Sequence, residues 1–237
     1  MRTGSTADIA AGGACAFQLP EGPRSASLAR SLVVNALRAL SMPDNLVEDA
    51  ELAVSELATN AYLHTKQPAT PPELWIWART HPRHELVISL FDASRTSLPS
   101  PVMCHLLDEH GKGLGIVAAL ASDTGARFTR SRLACAPVRG KAVWFALAIP
   151  APWPEPKHGV TPTVAAYRLL LALQTRGIHS THGSNDTGRP VITAGGLNIR
   201  VEPKTFSWPE GNGHDHHPLL DLHETTERVI NLIDTRP

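Results

Sequence analysis

Glu56 and Asn60 stand four residues apart in the run Glu56-Leu57-Ala58-Thr59-Asn60-Ala61. On a helix that spacing sets a carboxylate and a carboxamide on one face, one turn apart, where both can meet a single ligand. A glutamate can take a proton or orient a water, and an asparagine oxygen suits a hard cation that keeps phosphate and water as its other ligands. Taken alone, a solvated helix face is the simpler reading of the pair. A second group is Asp92-Ala93-Ser94-Arg95, with Pro99 nearby, directly after the apolar run 86–91. An aspartate at a strand end can accept a hydrogen bond from an exocyclic amino group, although strand-to-Asp-Ser is also ordinary turn chemistry. The third is Gly111-Lys112-Gly113-Leu114-Gly115, at the start of a helical pattern. Its glycines let backbone approach an anion, helix N-terminal N–H groups face it, and Lys112 adds a charge.

Two familiar phosphate-binding patterns do not fit this last segment. A P-loop needs GxxxxGK[ST] after a strand and a dinucleotide fingerprint needs GxGxxG after a strand, whereas residues 103–110 are polar and the third glycine is misplaced.

The elements that must hold these groups are legible from periodicity. A first strand is expected to open at 16–19. The apolar residues Leu28, Leu32, Val33, Ala36, Leu37 and Leu40 predict a helix ending near Ser41. Asp44 as N-cap, early acidic residues and the stripe Leu46, Ala50, Ala53, Leu57, Ala61 predict a second helix to about His64. Residues 74–80 and 85–91 read as a hairpin turning at 81–84. A loop follows over 93–112, then a short helix around Leu114, Val117, Ala118 and Ala121. Strands are expected at 125–133 and 142–149, with a turn at 137–140. The first fifteen residues read as frayed.

Composition narrows the function classes. The chain has 237 residues, 42% hydrophobic, and 22 basic side chains against 22 acidic ones. That balance gives no electrostatic footprint for nucleic acid or anionic lipid. Cys15, Cys104 and Cys135 are odd in number and share no metal-ligand spacing, which argues against a disulfide framework or structural zinc. No apolar run approaches the roughly 20 residues of a membrane span, and no apolar leader opens the chain. The expectation is a cytoplasmic protein.

In this order the three groups, with the closing strand Gly140-Lys141-Ala142-Val143-Trp144-Phe145, resemble the motifs of the GHKL ATPase superfamily over about residues 14–150. The chain is most similar to its compact bacterial branch, the anti-sigma-factor serine/threonine kinases and related actinobacterial ATP-binding proteins. Glu56 to Ala61 match E-L-x-x-N-A, Asp92, Ser94 and Pro99 match D-x-S with a following proline, and Gly111 to Leu114 match G-[RK]-G-L.

The resemblance implies an α+β fold, a two-layer Bergerat-type sandwich of a mixed sheet with helices on one face. It implies that ATP and magnesium are the cofactors. Asn60 would coordinate magnesium and Asp92, with Ser94 in its motif, would bind the adenine amino group. Gly111, Lys112, Gly113, Leu114 and Gly115 would border the phosphates under a lid at 96–112, and Glu56 would be the catalytic base. The implied partner is a sigma factor or an anti-anti-sigma factor, and a homodimer is one assembly to expect. A catalytically inactive nucleotide-binding interaction module is the alternative. No phosphoacceptor helix of the histidine-kinase kind is seen.

Residues 151–162 are proline-rich and read as a stiff connector to a small C-terminal α+β domain at 163–237. There a helix is expected at 164–173, two strands around Gly195-Gly196, and a closing helix at 217–233. These helices would build their own module or dock on the first sheet. Seven of the twelve histidines fall in 158–237, and His214-Asp215-His216-His217 read as a solvent loop able to hold adventitious metal only.

Overall fold

The computed structural model describes residues 2–64, 70–95, 98, 112–150, 159–211 and 213–236. Its elements are β1 (Arg2–Thr3), α1 (Thr6–Ala10), β2 (Ala14–Gln18), α2 (Arg24–Ala39), α3 (Asp44–His64), β3 (Glu73–Arg79) and β4 (Glu85–Asp92). They continue with α4 (Lys112–Leu120), β5 (Asp123–Arg130), β6 (Arg139–Ala148), α5 (Pro162–Thr175), β7 (Ser180–Ser184) and β8 (Pro190–Ala194). The chain closes with β9 (Leu197–Val201), β10 (Thr205–Glu210), β11 (Gly213–Pro218) and α6 (Leu222–Thr235).

The chain is α+β with two sheets, ordered β1-β2-β3-β4-β6-β5 and β11-β10-β9-β8-β7. The expected mixed sheet is corrected: every pairing in the first sheet is antiparallel, because the β5–β6 hairpin inserts β6 beside β4 in the opposite sense. On one face lie α2, α3 and α4. Val33 and Leu37 of α2 and Ala50, Ala53 and Leu57 of α3 bury against Ile76, Ile88 and Phe145. The alanines of α3 let its backbone come close to the sheet, which is what brings side chains at its edge near the strand ends.

The expectation of helices on one face only is also corrected. Trp75, Trp77, Val87, Phe91 and Trp144 form a separate apolar layer on the other face, and α6 lies across it. Trp77 Nε1–H donates to Glu224 Oε2 at 3.1 Å, Thr129 Oγ1–H to Glu227 Oε2 at 2.7 Å, and the Phe128 N–H to Asn231 Oδ1 at 3.0 Å. The opposite side of α6, with Val229 and Ile230, belongs to the second core, built from α5 and the inner face of the five-stranded sheet. One helix therefore carries two buried faces, polar toward the first sheet and apolar toward the second.

Three smaller expectations change. The N-terminal residues form β1 and α1, the latter closed by Ser5 and Asp8, whose carboxylate accepts from the Ser5 N–H at 2.6 Å, and Ile9 is buried. His214 to His217 lie in β11, paired residue for residue with β10, so they are not a loop. The closing helix accordingly begins at Leu222, and α5 begins at Pro162, inside the expected connector. Residues 151–158 of that connector lie outside the described residues.

Candidate functional site

α3 turns its alanine and leucine stripe to the sheet, which leaves Glu56 and Asn60 half-buried at its edge. α4 packs alongside. A Cβ built on Gly113 would stand 2.5 Å from Glu56 Oε2, so the glycine is what lets the second helix pass the carboxylate so closely. The obstacle is the far end of a flexible side chain. Gly113→Ala is therefore expected to leave the melting temperature unchanged or higher, alanine being the better helix former by up to about 1 kcal/mol, while it swings Glu56 aside. Thermal melts of the variant beside the parent check this.

Asp92 ends β4 on the helix-facing side of the sheet and is 4% exposed. Its Oδ1 accepts the Ser94 N–H at 2.8 Å, which ties the start of the following loop to the strand end. Its cross-strand neighbour is Lys141, whose Nζ stands 4.0 Å from Asp92 Oδ2. Gly140 is required beside them, because a Cβ there would lie 2.1 Å from the Asp92 carbonyl oxygen and 2.6 Å from the Phe91 ring.

Asp92 lines a cavity of about 330 Å³ together with Ser25, Ala61, Tyr62, Thr70 and Pro72. Its wall thus runs from the strand-end carboxylate to α3 at the residue after Asn60, and on to the N-terminus of α2. That volume is at the lower end for small-ligand pockets and suits a heterocycle with its sugar.

Of the expected site residues, the structure brings together Glu56 with Gly113, and Asp92 with Ser94. Asn60 lies one turn beyond Glu56 on α3. Leu114 packs against the first core and Gly115 is exposed with nothing within 4 Å of its Cβ position, so neither borders the cavity through a side chain. Lys112 opens α4. Gly111, Pro99 and the lid expected at 96–112, apart from Leu98 and Lys112, lie outside the described residues.

Two features were not anticipated. Arg95, three residues after Asp92, reaches the end of α6: its Nη2 donates to the Asp234 carbonyl at 3.1 Å, its Nη1 stands 3.5 Å from Asp234 Oδ2, and it stacks 4.4 Å over Phe128. Asp234 is itself gripped by Arg130 at 3.1 and 2.7 Å. The loop that follows β4 is thereby fastened to the C-terminal helix. Second, a charged layer lies between α6 and the sheet. Arg79 pairs with Glu85 and Asp123, each at 2.6 Å, and sits with Arg127 over Trp144, both 5.0 Å from the ring. Arg176 pairs with Glu227 and stacks over Trp75.

Among the described residues no group of three or more His, Cys, Asp or Glu side chains could hold a metal ion. In β11, His214 and His216 are exposed, while His217 is buried against Trp208 and bonded to Asp215 at 3.1 Å. No helix among the described residues is long and apolar enough to cross a membrane. Compared with known proteins, the chain matches no family model and no curated sequence.

Proposed function

We propose that the chain is an ATP-binding regulatory protein of the Bergerat type, acting as a serine/threonine kinase on a protein partner of the sigma-factor regulatory kind. One observation carries this reading. The cavity beneath Asp92 reaches α3 beside Asn60, and one turn back along the same helix Glu56 meets the glycine-bearing start of α4. A base held at Asp92 would leave its phosphates to run toward those groups.

The residues fit that ligand chemically. Asp92, nearly buried and with one oxygen already fixed by the Ser94 N–H, accepts from an exocyclic amino group. The N-terminal amides of α4 donate to phosphate oxygens. Magnesium, held on the Asn60 side-chain oxygen, would supply neutralisation of the phosphate charge. Glu56 orients the partner's hydroxyl and takes its proton while the oxygen bonds to the terminal phosphorus and the bond to the leaving diphosphate breaks.

Titration calorimetry with ATP, with and without magnesium, tests the reading. Asn60→Ala is expected to remove the magnesium dependence, and Asp92→Asn to weaken ATP binding by roughly 10- to 100-fold, the size of a lost charged hydrogen bond. A chain that binds no ATP in the presence of magnesium would overturn it.

A further inference from the structure

Ser25 lies in the first turn of α2, is 2% exposed, and lines the same cavity as Asp92. Its Oγ has no hydrogen-bond partner among the described residues. Among the described residues no side chain caps the N-terminus of α2, where Pro23 holds the N-cap position with a side chain that can neither donate nor accept. A buried hydroxyl without a partner costs the desolvation of that group, and a ligand that offers it an acceptor removes that cost. Ser25 borders the cavity, whose lining also includes Glu21, Ala61, Tyr62, Thr70 and Pro72; the Tyr62 ring and Pro72 are surfaces against which a flat heterocycle can lie.

We infer that Ser25 is a second specificity-determining residue of this pocket: its O–H donates to a ring nitrogen of the base whose amino group Asp92 accepts. The inference rests on the nucleotide reading above and goes past it by naming the base edge that is read. A pocket with an acceptor at Asp92 and a donor at Ser25 matches a heterocycle that presents an amino group and an unprotonated ring nitrogen together, as adenine does. A ligand without the ring acceptor leaves the buried Ser25 hydroxyl unsatisfied, and that is how such sites discriminate.

The test uses the full chain, its Ser25→Ala and Asp92→Asn variants, and ATP, GTP and UTP with magnesium, read by calorimetry beside thermal melts of the unliganded proteins. Ser25→Ala is expected to bind ATP about tenfold more weakly and to melt at the same or a higher temperature without ligand, because an unsatisfied hydroxyl has been removed. Those two changes have opposite signs, which a hydroxyl with a purely structural task would not give. ATP binding that is weakened by Asp92→Asn but equal in Ser25→Ala would overturn the assignment of Ser25 and leave the nucleotide reading standing. Absence of binding by all three nucleotides to the unaltered chain would overturn both.

Discussion

Glu224→Ala is expected to destabilise the protein by about 3–5 kcal/mol, the cost of removing one partner from a buried ionic group. Glu224 is fully buried. Its carboxylate accepts from Arg228 Nε at 2.9 Å, Arg127 Nη1 at 3.3 Å and Trp77 Nε1 at 3.1 Å, with Arg79 Nη1 at 3.8 Å. Without it, the guanidiniums of Arg79 and Arg127 face each other over Trp144 with one fewer counter-charge between α6 and the sheet. The same group sets a pH dependence. Burial alone would raise the Glu224 carboxyl, but Arg127, Arg228 and Arg79 outweigh it and hold it at about 2, against an ordinary 4.5. A depressed carboxyl stabilises the fold above its unfolded value, and that contribution, about 3 kcal/mol, is lost as pH falls from 4.5 through 2.

His223 acts in the same direction at higher pH. Burial first, then Arg132, Arg176 and Arg127, hold its imidazole well below 6.5, so its contribution is present above 6.5 and declines as the solution is acidified. Asp221 opposes both: burial raises it above 3.8 despite its bonds from Thr80 and His81, so the folded form gains relative stability as this carboxyl takes up its proton. Urea unfolding at pH 7, 5 and 3 should show falling stability, with the drop between 5 and 3 smaller in Glu224→Ala than in the parent. Equal slopes in the two proteins would show that Glu224 is not the titrating group.

Glu56→Gln is expected to lower phosphoryl transfer by about 10²- to 10⁴-fold, the usual contribution of a positioned general base, with ATP affinity changed little. The amide keeps the shape beside Gly113 but cannot take a proton. Transfer of labelled phosphate to a partner captured with the protein, measured beside ATP binding, separates the two effects. Undiminished transfer would remove Glu56 from the catalytic role and favour a binding module.

Much of this architecture is readable from local pattern. The alanine-striped run gives α3 nearly end to end, although Asp44 is its first helical residue and the N-cap position falls to Pro43, whose carbonyl accepts the Val47 N–H at 3.1 Å. Gly195-Gly196 marks the turn between β8 and β9. Other elements carry no such signal. β7 is Ser-Thr-His-Gly-Ser and β11 is Gly-His-Asp-His-His-Pro, both low in strand propensity; they are strands because β8 and β10 pair with them. The covering of the sheet's second face did have a trace. Residues 74–77 and 86–91 are buried on both sides and do not alternate with polar residues, as a strand with one wet face would. At the site, spacing alone pairs Glu56 with Asn60 and sets Asp92 at a strand end. Ser25 carries no such signal, because only tertiary packing carries the start of α2 to Asp92, and nothing local to 92–95 shows that Arg95 reaches α6.

The layer beneath α6 also limits how the protein can be divided. A fragment cut within the proline-rich stretch before α5 would bare Trp75, Trp77 and Trp144 to water, strip Arg79, Arg127 and Arg130 of the helix carboxylates Glu224 and Asp234, and release the Arg95 tether. Such a fragment would be sticky and strongly cationic on one side, so any solubility or nucleotide measurement made on it would describe that wound rather than the whole chain.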